Sequence, residues 1–155
     1  MRCGPACVAI FVGIAGLSAP AAAAEVNLGA TLVNSCVLTL NSSGVMTPTS
    51  SGTRIGSDES GGGAATLGVI AIGAFPTISF GAPAMTTYPA GWTGTPTTEV
   101  SYTSSGGANQ AFTSGSSSAS LSALTDSFTI HGRVTSSTGF AAGNYSLRTV
   151  ATCSQ

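Results

Sequence analysis

The chain has 155 residues, of which four are Lys or Arg and five Asp or Glu, for a net charge of −1. Charged residues make up 6% of it, there is no lysine, and 23 Ser, 21 Thr and 21 Gly supply the polarity instead. Nucleic-acid binding needs a clustered cationic footprint, and so does electrostatic attachment to an anionic membrane; the scattered Arg54, Arg133 and Arg148 exclude both.

Residues 1–24 read as a secretory signal: Met1-Arg2 supplies the positive start, Ala6 to Leu17 the apolar core, and Ala22-Ala23-Ala24 a small-residue cleavage site before Glu25. Ser18 and Pro20 interrupt the apolar run short of the roughly 20 residues a membrane span requires, so no span is expected after cleavage. Cys3 and Cys7 leave with the leader, and Cys36 and Cys153 remain. The chain from Glu25 onward has the length of one domain with its own core.

A period of two then dominates. Val26, Leu28, Ala30, Leu32, Asn34, Cys36, Leu38 and Leu40 occupy alternate positions, predicting one long strand or two in line with a hinge at Asn34-Ser35. Residues 41–64 are turn-rich and predict loops or a short edge hairpin. Leu67 to Ile72 is an apolar run of strand length, and Ile78 and Phe80 restart the alternation after Phe75-Pro76. Residues 81–98, with Pro83, Tyr88, Pro89, Trp92 and Pro96, predict a long shaped loop or a pair of turns. Glu99 to Thr103 alternates with Val100 and Tyr102 inward, and 104–122 is a Ser/Gly/Ala tract around Phe112. Phe128, Ile130, Gly132 and Val134 share one strand face, with His131 and Arg133 on the other. In the last strand Tyr145, Leu147, Ala151 and Cys153 point inward, with Val150 out of phase. No segment has a helical period with caps. Short strands between Gly, Ser and Pro turns predict an all-β domain, a β-sandwich over a barrel.

Both remaining cysteines fall on apolar faces, and export to an oxidising compartment favours a bond that ties the first strand to the last. Free buried thiols or intermolecular pairing are the alternatives. Two cysteines and the single His131 fall short of a zinc site, and no metal or cofactor is expected. His131 alternates outward, Asp58-Glu59 lies in a polar loop near Arg54, and Gly61-Gly62-Gly63 lacks the lysine of a phosphate loop, so no enzyme is indicated. Asn41-Ser42-Ser43 and Asn144-Tyr145-Ser146 match the glycosylation sequon. Tyr88 and Trp92 form either a glycan- or protein-facing platform or, for Trp92, a plug over one end of the sandwich.

Two stretches carry a resemblance: Ala30-Thr31-Leu32-Val33-Asn34-Ser35-Cys36-Val37-Leu38, a strand running into a first cysteine, and Phe140-Ala141-Ala142-Gly143-Asn144-Tyr145 before the closing strand. They resemble the secreted pilin-like and spore coat protein U-like subunits of Gram-negative bacteria. The resemblance implies an incomplete immunoglobulin-like β-sandwich, a periplasmic chaperone and outer-membrane usher as partners, and exchange of N-terminal strands between subunits. The expected organisation is a signal peptide (1–24), an N-terminal extension or first strand (25–35) and a β-sandwich domain (36–155). Val26, Leu28, Ala30 and Leu32 are the donor-strand candidates; alternatively they begin the protein's own sheet. In a usual pilin the first cysteine pairs with one some tens of residues later, so a Cys36–Cys153 bond argues against an ordinary groove between first and last strands. The expected function is a non-catalytic structural subunit of a surface fibre, pilus or coat, secreted or at the cell surface via the periplasm. The alternative is a secreted binding module using Tyr88 and Trp92.

Overall fold

Alternation of apolar and hydroxyl residues becomes a set of antiparallel strands whose apolar faces meet. The computed structural model describes residues 28–155; the predicted leader and the donor candidate Val26 lie outside the described residues. Residues Thr31–Gln155 form one compact unit. Its strands are β1 (Ser35–Ser42), β2 (Thr47–Pro48), β3 (Arg54–Gly56), β4 (Ala65–Ile72), β5 (Thr77–Phe80), β6 (Ala84–Thr87), β7 (Thr97–Ser104), β8 (Asn109–Thr113), β9 (Ser117–Ser120), β10 (Thr125–Thr135), β11 (Ser146–Arg148) and β12 (Ala151–Ser154). No described helix is long and apolar enough to cross a membrane.

The long β10 organises the larger sheet. One of its edges pairs with β4 from Thr125 to Ile130 and with β3 from Arg133 to Thr135; the other pairs with β7. β1 extends this sheet beyond β4, β2 beyond β3, and β8 beyond β7, giving seven antiparallel strands. A three-stranded sheet, β12-β5-β9, and the pair β11-β6 make up the rest. Leu67 and Val69 of β4, Tyr102 of β7 and Phe128 of β10 meet Ile78 and Phe80 of β5 and Ala119 of β9 in one buried cluster. Phe80, Tyr102 and Phe128 form its centre, with ring centroids 4.5–5.6 Å apart, two of the three contacts edge-on.

The structure departs from the expected elements at four places. Strand pairing starts at Ser35, and residues 28–34 have no strand structure, so the alternation from Leu28 to Leu32 does not continue β1. The 104–122 tract contains two strands, β8 and β9, which its small residues conceal. β8 completes a hairpin with β7, and β9 buries Ala119 against Ile78 of β5. The Pro-rich stretch contributes the four-residue β6, paired with β11. Val150, out of phase in the sequence, marks a break: β11 pairs with β6 and β12 with β5.

The β7–β8 turn depends on a buried acid. Asp126 Oδ1 accepts hydrogen bonds from Ser105 Oγ (2.6 Å), Gly106 N (2.9 Å) and Ser127 N (2.7 Å). A Cβ at Gly106 would lie 2.7 Å from the other carboxylate oxygen, and Gly107 has φ +92°, so both glycines are required. Burial works to raise the Asp126 pKa, but hydrogen bonds from Ser105, Ser104, Gly106 and Ser127 outweigh it and hold the carboxyl below the ordinary value of 3.8. A depressed folded-state pKa contributes stability above the unfolded-state value, and that stability is lost as pH falls through the folded-state pKa. Asp126→Asn is therefore expected to cost about 1–3 kcal/mol at neutral pH. The gap from wild type should narrow as denaturation is followed below pH 3.8; a gap independent of pH would show that the charge contributes nothing.

Candidate functional site

The first and last strands lie at the edges of different sheets and face each other. Among the described residues β1 pairs only with β4, β12 only with β5, and β11 only with β6. Each facing edge therefore presents unpaired main-chain N–H and C=O groups. Between them lies a cleft of about 630 Å³.

Its walls follow from the strand alternation. Leu38 and Leu40 come from β1, Leu67 from β4, Ile130 from β10, and Leu147, Val150 and Ala151 from the segment running through β11 into β12. Small residues make the room: Ala65, Gly132 and Ala151 line the cleft where larger side chains would fill it. A Cβ on Gly132 would come within 2.8 Å of Leu147 Cδ2. Arg148 is the one charged residue among the lining residues. Leu40, on the inward face of β1, is nonetheless 60% exposed, because no strand of the described chain covers it.

Cys36 of β1 and Cys153 of β12 form a disulfide with Cα atoms 6.2 Å apart. It crosses from the seven-stranded to the three-stranded sheet, two residues along each strand from the cleft-lining Leu38 and Ala151. The cleft lies beyond the bond, along Leu38 and Leu40.

Of the donor candidates, Leu28, Ala30 and Leu32 are exposed, Leu28 at 94% and Leu32 at 72%. Tyr88 is exposed and Trp92 half-buried. Trp92 stacks on Phe140 (5.4 Å, 18° between planes), meets Tyr145 edge-on (5.6 Å), and donates its Nε1–H to Gly139 O (3.1 Å). Its indole covers Gly94, so one face, one edge and its polar atom are engaged within the fold.

The remaining polar groups brace strands. Buried Ser57 accepts from Gly132 N (2.9 Å) and shares a hydrogen bond with His131 Nδ1 (3.2 Å), which joins the loop after β3 to β10. His131, on the outward face by alternation, is half-buried. Arg133 pairs with Glu99 (2.8 Å) across β10 and β7, and its guanidinium lies 3.9 Å over the Phe112 ring of β8. Glu59, expected in a solvated turn, forms an ion pair with Arg54. No group of three or more His, Cys, Asp or Glu capable of holding a metal occurs among the described residues.

Sequence alternation located Leu38, Leu40, Ile130, Leu147 and Ala151 as inward positions but not as a shared opening. The phase break at Val150 was the one local sign of it. Compared with protein-family models, curated protein sequences and solved structures, the chain matches none.

Proposed function

We propose that this protein is a non-catalytic structural subunit of a surface fibre, pilus or coat, assembled by β-strand exchange. The observation that carries the reading is the apolar cleft between the unpaired edges of β1 and β11–β12, where Leu40 lies open. A strand seated there would gain main-chain hydrogen bonds on both sides and bury apolar side chains below. The N-terminal segment has the matching chemistry: Leu28, Ala30 and Leu32 recur every second residue and are exposed. In this reading the sandwich-like domain is an incomplete immunoglobulin-like sandwich, completed by the segment of a neighbouring copy or a related subunit. A periplasmic chaperone and an outer-membrane usher are the partners, and the route is export through the periplasm to the cell surface. The resemblance to pilin-like and spore coat protein U-like subunits points the same way.

Deleting Glu25 to Val33 tests this. The shortened chain is expected to remain folded and disulfide-bonded but to form no polymers, as read by non-reducing electrophoresis and sedimentation. Polymers at the level of the full chain would rule out the segment as donor. The second reading, a binding module using Tyr88 and Trp92, rests on the two rings lying 5.9 Å apart, Tyr88 exposed and Trp92 half-buried against Phe140 and Tyr145.

A further inference from the structure

We infer that the Cys36–Cys153 disulfide is a guard against self-insertion: it closes the cleft at the end where the chain's own N-terminal segment joins β1, so the cleft takes that segment only from a second copy. This inference rests on the strand-exchange reading. The segment joins β1 at Ser35, one residue before Cys36. To lie beside Leu38 and Leu40 of its own molecule, it would reverse near Val33-Asn34 and run back along the free edge of β1. That path passes between Cys36 and Cys153. A strand seated between two others holds them about 9.5 Å apart, two inter-strand steps. The cysteine Cα atoms are 6.2 Å apart and covalently joined.

The same end is closed a second way. Gln155 Nε2 donates to Ile72 O (3.3 Å) and Ala74 O (2.6 Å), and the Asn34 side chain lies against Gly73 in the turn between β4 and β5. Away from the bond, the cleft continues past Leu40 to Met46 and Leu147, and a strand from another molecule meets no cross-link there. The exposed Leu28 and Leu32, with Ala30 between them and no charge in that stretch, identify the occupant.

The test compares three full-length proteins by sedimentation and by hydrogen exchange of residues 28–32: wild type, Cys36→Ala/Cys153→Ala, and a disulfide-bonded variant with a Gly-Ser linker between Asn34 and Ser35. A linker of about ten residues reaches roughly 30 Å and carries the segment around the bond. A tethered segment has an effective concentration of order millimolar, so at micromolar protein self-insertion should deplete polymers by about a hundredfold or more. Wild type is expected to polymerise, and both variants to become monomers with residues 28–32 protected. The linker variant retains the bond and decides the matter if the alanine variant does not fold. Wild-type levels of polymer from the linker variant would overturn the guard and leave strand exchange standing. Wild-type monomers with residues 28–32 protected would overturn the guard and, with it, assembly by exchange between copies. Wild-type monomers with those residues unprotected would overturn strand exchange, and the guard with it.

Discussion

Reducing the Cys36–Cys153 bond is expected to lower the stability of the domain by about 4–5 kcal/mol. The bond spans a separation of 117 residues, so its loss releases nearly the whole domain to unfolded-state entropy. Its native role compounds this, because it joins two edge strands that among the described residues have no main-chain pairing with each other. Against a typical total stability of about 5–15 kcal/mol, the fall in melting temperature should be on the order of 15–25 °C. Thermal unfolding with and without reductant measures it, best in the chain lacking Glu25 to Val33. There no segment is present to insert into the opened cleft and return part of the loss. A shift of a few degrees would mean that packing between the two sheets, centred on Phe80, Tyr102 and Phe128, holds the fold without the bond.

Leu40→Asp is expected to abolish assembly while leaving the isolated domain's stability within about 0.5 kcal/mol of wild type. The separation of the two effects follows from Leu40's exposure. In the lone subunit an aspartate there faces water. Beneath an inserted strand it becomes a buried, unpaired carboxylate, which costs several kcal/mol or forces proton uptake. The variant keeps its N-terminal segment and loses its acceptor cleft, whereas the chain lacking Glu25 to Val33 keeps the cleft and loses the donor. Neither should polymerise alone, and a mixture should form one-to-one dimers, read by sedimentation. Dimers in neither single protein nor the mixture would place the contact between subunits elsewhere. Destabilisation of the lone Leu40→Asp domain by more than about 2 kcal/mol would show that Leu40 is already covered.

The strands that carry large apolar residues were legible as sequence. Ile78 and Phe80, Val100 and Tyr102, and Phe128 with Val134 stand on the inward faces that alternation assigns. A strand buried on one face must alternate, and one residue of slip would turn its whole apolar set to water. β8 and β9 were not legible, because Asn109–Thr113 and Ser117–Ser120 have little apolar surface of their own. They are strands because β7 and β5 offer edges with which to pair. Trp92 shows the same limit: its surroundings, Phe140, Tyr145 and Gly139, lie some fifty residues along the chain.

By itself the sequence determined an all-β domain, the inward residues of its main strands, and two cysteines on inward faces of the first and last. These are local properties, read from a period of two and from residue chemistry. Only the tertiary structure decided that β1 and β12 end up as edges of different sheets. It also decided that the disulfide lies beside a cleft and that Leu40 is left open within it. An unpaired edge is not a property of any strand: it depends on which other strands arrive beside it, and that depends on packing across the whole core.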